Sequence, residues 1–326
     1  MAERMGFEPM KRLLLYTLSK RAPSTTRPPL HNNKFFLIYK SYNLLNIIIN
    51  FIINYKLMDT TVIIVAYKSE HLIETNINKF NKKTQIIVID NSKDENLKKN
   101  IEFKFKNVKV VLNENNGFGQ AANLGARLAK TKYLFFCSPD NYVEKNIIED
   151  LENISQSVND KFGLLILSNK EGFYEKKKEI KEARGISCFL TQKKIFLNLK
   201  GFDENFFLYY EDVDLVKRFL KIGYHVYQVP LQYSSLSRSH NKNFNYPIEI
   251  NRNWHYMWSK FYYRKKHWGY LYSFFTTMPY FIRSLIKTII LISNPKKKDI
   301  YFARVSGLYN SYILKKSWFR PKIGTK

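Results

Sequence analysis

Residues 58–240 read as an α/β domain built on a doubly wound, mainly parallel sheet, and three observations carry that reading. Five apolar runs of strand length, TVIIVA, QIIVID, VKVVL, YLFFC and FGLLIL, follow one another from Thr61. Their Val, Ile and Phe continuity marks strands buried on both faces. Polar stretches of helix length separate them, at 69–81, 119–130 and 144–156, so the succession is βαβ. The residues that follow the first four runs are polar, acidic or glycine, at the strand ends where such sheets bind ligands.

In chain order, residues 1–57 come first and stand apart. They hold four of the ten prolines. The LLLYTL run has no small-residue cleavage site beside it and does not read as a signal peptide. The apolar stretch 42–53 is interrupted by three Asn and falls short of the roughly 20 residues a membrane span needs. At Met58, MDTTVIIVAY leads from polar residues straight into a β-branched run, the way a free-standing α/β domain opens. The expectation is that translation starts at Met58 and that 1–57 are leader sequence, with an amphipathic membrane anchor as the competing reading.

The first run ends at Ala66 and is followed by Tyr67, Lys68, Ser69 and Glu70; the second closes on Asp90, Asn91 and Ser92. After the third come Asn115, Asn116, Gly117, Phe118 and Gly119, and after the fourth Ser138, Pro139, Asp140 and Asn141. Turn chemistry accounts for any one of these groups. Four in succession at one sheet edge point to a ligand site. Gly117 and Gly119 can take backbone angles closed to other residues, and Ala121, Ala122 and Gly125 allow close helix packing. Their spacing is not G-x-G-x-x-G, so this is no dinucleotide fingerprint. Asp140 suits a hard cation, Mg²⁺ or Mn²⁺, which takes one or two protein carboxylates plus phosphate oxygens; its other reading is a helix cap. Farther on, FFLYYEDVDLVKRF reads as a helix from near Asp212 with Leu215, Val216 and Phe219 facing the core. Glu211 and Asp212 then stand at its N-terminal end, where carboxylates are favoured as caps. The aromatic block just before them places them beside an apolar wall instead of open water, which a plain cap does not require.

The segments VIIVAYKSE, IIVIDNS, NENNGFGQAANLG, YLFFCSPDNYV and GFDENFFLYYEDVDLVKRFLKIGYHVYQVP resemble a family 2 glycosyltransferase, in particular the bacterial branch of rhamnosyltransferases and related surface-polysaccharide enzymes. The similarity covers about 61–230 and continues weakly through HYMWSKFYYRKKHWG. It implies a GT-A fold and an inverting hexosyltransferase, passing a sugar from a nucleoside-diphosphate donor, with dTDP-rhamnose as the first guess, to a saccharide or lipid-linked acceptor. It implies that Asp90 contacts the nucleoside, that Ala66, Tyr67 and Glu70 line the base pocket, and that Asn123 is the motif asparagine of the donor site. Ser138-Pro139-Asp140 stands where the family has Asp-x-Asp or Asn-Pro-Asp, with Asp140 holding a divalent cation that neutralises the leaving diphosphate. Ser138 departs from both forms, and the DNSKD turn is one residue shorter than the family's, so Asp94 takes no role. By the same resemblance Asp212 is the general base and Glu211 its neighbour. Asp203 and Glu204 shape the entry of the acceptor site, and His240 belongs near it and the donor phosphates.

Residues 241–326 read as a helical extension. A Trp- and Tyr-rich helix around 252–260 is followed by a largely apolar stretch, 271–292, which carries Arg283 and Lys287 and leads to Lys296, Lys297 and Lys298. Those charges exclude a full span. The stretch reads as a helix in the interface of an anionic membrane, or as one buried against the catalytic domain.

The net charge is +27, and without residues 1–57, with nine Lys and Arg and two carboxylates, it is +20. That excess suits an anionic partner, or simply a solvated surface. A nucleic-acid-binding protein would interleave its aromatics with Lys and Arg on a strand surface, whereas here they fall in apolar runs, so no nucleic-acid partner is expected. A catalytically dead sugar-nucleotide binder would lack Asp140 or Asp212, and neither is missing. Cys137 and Cys188 lie in apolar runs without metal-ligand spacing, which reads as buried, reduced thiols in a cytoplasmic chain, at most peripheral to the membrane's inner face.

Overall fold

The computed structural model describes residues 59–158, 161–169, 176–182, 185–235 and 246–320, all within the unit Leu57–Lys326. The expected leader, the start at Met58, His240 and the boundary at 240 lie outside the described residues. All five apolar runs are strands. The chain alternates β1 (Thr60–Ala66), α1 (Glu70–Ile77), β2 (Gln85–Asp90), α2 (Glu95–Lys104), β3 (Val108–Leu112), α3 (Phe118–Leu128) and β4 (Tyr133–Cys137). There follow β5 (Asn141–Val143), α4 (Ile147–Ser157), β6 (Phe162–Asn169), β7 (Lys178–Glu179), β8 (Phe189–Gln192), α5 (Lys193–Asn198), α6 (Glu211–Lys221) and β9 (His225–Ser235).

The sheet order is β3-β2-β1-β4-β8-β6-β9-β5, with β7 on β9. β1 to β4 are parallel neighbours, and β6 and β9 run the same way. β8 is threaded antiparallel between β4 and β6, and β5 and β7 run antiparallel to β9. The mainly parallel α/β sheet is therefore present, with antiparallel strands added that the apolar pattern did not announce. Side-chain alternation sends Val62, Ile64 and Ala66 of β1 into one core with α1, α2 and α4, and Ile63 into the other with α3, α5 and α6. α3 lies close to the sheet because Gly125 carries no side chain: a Cβ there would stand 2.6 Å from Ile63 Cγ2. α2, unread from the sequence, is capped by Asp94, whose Oδ1 accepts from the N–H groups of Asn96 and Leu97.

Three further helices follow among the described residues: α7 (Tyr246–Trp268), α8 (Tyr270–Ile290) and α9 (Pro295–Tyr312). α7 is fixed to the chain end by Trp258 Nε1 donating to Lys315 O at 2.9 Å and by His255, whose ring bonds Phe319 O and Ser317. Burial pushes the His255 imidazole down to about 3, so it stays neutral. Ser259 Oγ donates to Leu208 O at 2.9 Å and ties α7 to the loop before α6. α8 is arranged inside out. It buries Ser273, Thr277 and Ser284, while Leu271, Phe275, Ile282, Ile286 and Ile289 are exposed on the opposite side. Among the described residues no helix is long and apolar enough to cross a membrane.

Candidate active site

Register places the candidate residues along one edge. Ala66 pairs with Asp90, Asp90 with Leu112, and Ile64 with Cys137. The segments after β1, β2, β3 and β4 therefore leave the sheet side by side. β8 pairs Phe189 with Phe136 in antiparallel sense, which brings residues 185–188 to the same edge, beyond β4.

Asp90 is 1% exposed and accepts from Ser92 N at 2.8 Å and Asp94 N at 2.7 Å. Both its oxygens close the DNSKD turn. Ser92 Oγ in turn accepts from Lys68 N at 2.6 Å, joining the loops after β1 and β2. Tyr67 stands 39% exposed at that junction, with Glu70 opening α1. Ser69, to which the sequence reading gave no role, has a buried Oγ without a hydrogen-bond partner at the uncapped N-terminus of α1.

Asp140 lies in the turn between β4 and β5, and its Oδ2 accepts from Ser235 Oγ at 2.9 Å. It caps no helix: β5 follows at once, and α4 begins after Asn146. Ser235, from the end of β9, is a neighbour that only the β5–β9 pairing reveals. Among the described residues no group of three His, Cys, Asp or Glu gathers for a metal. A lone carboxylate of this kind fits a hard cation that takes its remaining ligands from phosphate and water.

The loop into α6 is strained. Tyr209 and Tyr210 both have φ of 69°, left-handed values unusual for non-glycine residues. They deliver Glu211 and Asp212 at the first turn of α6. Asp212 Oδ2 accepts from Ile186 N at 3.0 Å, which pins it to the segment that β8 brings beside the end of β4. Burial raises its carboxyl above the ordinary range against the pull of the backbone N–H groups of Ile186 and its neighbours. Glu211 Oε2 is buried with no hydrogen-bond partner. Its burial and the adjacent Asp212 charge push it up to about 8. The third carboxylate is different: Asp214 is fully buried and bonds Arg218 Nε at 2.7 Å, Lys266 Nζ at 2.8 Å and His267 Nε2 at 2.9 Å. It welds α6 to α7.

The residues expected to shape acceptor entry or bind donor lie elsewhere in the network. Asp203 is held by Tyr262, Lys266 and Asn205. Asn123 is buried and clasps the backbone N–H and C=O of Phe202 at 2.9 Å each, while also donating to Glu204 at 3.0 Å. Asn123, Asp203 and Glu204 border a cavity of about 560 Å³ with Arg127 and Arg218, and none of Asp140, Glu211 and Asp212 lines it. Their observed work is to hold the 202–210 loop. Gly117 supports the same loop from the other side, with φ of 109° and room for no Cβ, which would stand 2.6 Å from Phe207 O. Gly117→Ala should cost about 2 kcal/mol or more from strain and clash together, read as a lower midpoint in urea unfolding.

Residues 61–217 match the family model described as glycosyl transferase family 2. That stretch is a family 2 glycosyltransferase domain. It runs from β1 into α6 and contains Asp90, Asp140, Glu211 and Asp212. A curated relative, the low-salt glycan biosynthesis hexosyltransferase Agl10 of Haloferax volcanii, is 24% identical over 194 residues, 49% of this chain and 61% of that protein. The chain thus spans about three fifths of the length of that relative. Two solved structures resemble the chain more loosely. GalNAc-T7 with UDP, GalNAc and Mn²⁺ gives a TM-score of 0.48 at 14% identity, over 68% of this chain and 56% of that one. S. aureus TarS 1-349 gives 0.45 at 16%, over 80% and 93%.

Proposed function

We propose that the family 2 domain is an inverting glycosyltransferase that moves a sugar from a nucleoside diphosphate, dTDP-rhamnose being the first candidate, to a saccharide or lipid-linked acceptor of the cell surface. The observation that carries this reading is Asp212, half-buried and anchored to Ile186 at the sheet edge that also bears Asp140. An acceptor hydroxyl is a poor nucleophile at neutral pH, so a carboxylate takes its proton as the new C–O bond forms and the anomeric bond to the diphosphate breaks. Asp212 is assigned that role, with Glu211 beside it as a neutral neighbour. Asp140, positioned by Ser235, would hold a Mg²⁺ or Mn²⁺ ion, which when bound neutralises charge on the departing diphosphate. Tyr67, Ser69, Glu70 and the Asp90 turn are assigned to the nucleoside end of the donor, with Asn123 supporting the site through the 202–210 loop. Incubation with a panel of sugar nucleotides tests the reading: one donor should raise the melting temperature and be turned over with inversion at the anomeric carbon, and a panel without any such donor would overturn it.

The catalytic part is taken as 58–240 and the helical extension as 241–326, and the extension is assigned to the anionic inner face of the cytoplasmic membrane. The outward apolar side of α8 supports this, as does the absence of any carboxylate from 250 to 298, a stretch with ten Lys and Arg. Replacing exposed Phe275 and Ile286 by Glu should sharply reduce co-sedimentation with vesicles containing phosphatidylglycerol, and added salt should weaken the wild-type interaction. Unchanged co-sedimentation would remove the assignment.

A further inference from the structure

The chain end folds onto α7 and closes a cavity that sugar transfer leaves unused. α9 stops at Tyr312, and Leu314, with φ of 58°, takes a left-handed conformation that turns the chain out of the helix. The tail beyond it is held at both ends. Trp258 Nε1 donates to Lys315 O at 2.9 Å, and Phe319 stacks on Trp254 with the ring centroids 5.4 Å apart. Tail, α7 and the 202–210 loop wall a cavity of about 350 Å³, which Trp258 and Phe261, 4% and 1% exposed, back with apolar surface. None of Asp90, Asp140, Glu211 and Asp212 lines it.

Its charge is one-sided. Lys265 of α7 and Lys315, Lys316 and Arg320 of the tail line it against a single carboxylate, Glu204. That carboxylate is already engaged, accepting from Asn123 Nδ2 at 3.0 Å and standing 3.6 Å from Arg127 Nη1. Among the described residues none of the four cations pairs with a carboxylate. Arg320 lies over the Phe207 ring instead, at 3.5 Å, and burial pushes its guanidinium down to about 10. A solvated basic surface spreads its charge. Here four cations line one cavity, and its apolar backing strengthens their field.

The cations stand on two walls, Lys265 on α7 and the rest on the tail, so a ligand that meets both carries charge at two positions. We propose that this cavity binds a soluble anion of the diphosphate class, which bridges α7 and the chain end. Such binding is independent of sugar transfer, and it fastens the tail beside the loop that delivers Glu211 and Asp212. Sodium diphosphate is titrated calorimetrically into the full chain, with a chelator present and no divalent cation. It should bind at one site, at least about 10-fold more tightly than inorganic phosphate, and Lys265→Gln and Arg320→Gln should each weaken it by about 10-fold. Lys265→Arg, which keeps the charge, should retain most of the affinity, with thermal melting confirming that every variant is folded. The pair Lys296→Gln and Lys297→Gln, which removes charge outside the cavity, should not weaken binding, and neither should Asp140→Ala. No binding to the wild type, or an equal loss in the Lys296 and Lys297 pair, would overturn the site. Loss in Asp140→Ala with both cavity variants unaffected would place the diphosphate at the transfer site and overturn it too. Equal affinity for phosphate would overturn the two-charge ligand, and a parallel fall in co-sedimentation of Lys265→Gln with phosphatidylglycerol vesicles would make the ligand a lipid headgroup instead of a soluble anion.

Discussion

Asp212→Asn should lower turnover by about 10²-fold or more, the usual scale for loss of a general base, while leaving donor affinity close to wild type. The amide keeps the size of the side chain and can still accept from Ile186 N through its oxygen, so the 185–188 segment and α6 should remain in place. A structural cap behaves differently: its loss costs about 1 kcal/mol of stability and reaches turnover only indirectly. The pH profile sharpens the test. Asp212 must be ionised to act, and its carboxyl is raised by burial, so wild-type turnover should fall on the acid side at a pH above the ordinary aspartate range. Glu211, pushed up to about 8, is mostly protonated at neutral pH, and Glu211→Gln copies that protonated state. It should therefore keep most of the turnover. Linkage gives a second readout. A folded-state value above the unfolded one means the native state holds more protons, so Glu211 contributes stability that is full below about 4.5 and is lost as pH rises through about 8. Glu211→Gln should remove that loss, making the variant's melting temperature less sensitive to pH between those limits. Near-normal turnover in Asp212→Asn would sink the assignment, and a large loss confined to Glu211→Gln would move the base to Glu211.

The parallel half of the sheet was legible because each strand is a local signal: TVIIVA, QIIVID and YLFFC are buried on both faces, which writes a continuous apolar run, and the edge strand VKVVL keeps its run although Lys109 is exposed. β8 is a four-residue strand and β9 carries Pro230 among polar residues, so neither has such a run. Their pairing partners lie far along the chain. That gap hid the two contacts that organise the site, Ile186 to Asp212 and Ser235 to Asp140, since each depends on which strands become neighbours. The acidic cluster shows the same limit from another side. Glu211, Asp212 and Asp214 look alike in sequence as first-turn carboxylates, and the i, i+4 partner of Asp214, Arg218, was visible. Its other partners, Lys266 and His267, come from a helix about fifty residues on. Only they mark Asp214 as the structural member. α8 was nearer to legible: Ser273, Thr277 and Ser284 repeat at helical spacing, and reading that small-residue stripe as the inward face would have predicted the apolar face outward.

Asp140→Ala should abolish the metal dependence of donor binding and cut turnover by about 100-fold or more, because several kcal/mol of charge stabilisation on the leaving diphosphate depends on the ion this carboxylate would hold. The fold should survive. Asp140 is half-buried in a turn, its side chain bonds Ser235 among the described residues, and no helix starts there for it to cap, so stability should change by about 1 kcal/mol or less. Ser235→Ala provides the graded control. Removing the hydroxyl leaves the carboxylate in place but frees its orientation, and loss of such an orienting partner typically weakens metal affinity about 10- to 100-fold. The order of effect on Mn²⁺ affinity in the presence of donor should therefore be wild type, then Ser235→Ala, then Asp140→Ala with no measurable dependence. Calorimetric titration of Mn²⁺ into each protein with nucleoside diphosphate present reads this order directly. A titration of Asp140→Ala that matches wild type would remove Asp140 from the metal site, and a Ser235→Ala loss equal to that of Asp140→Ala would make the hydroxyl itself a ligand instead of a support.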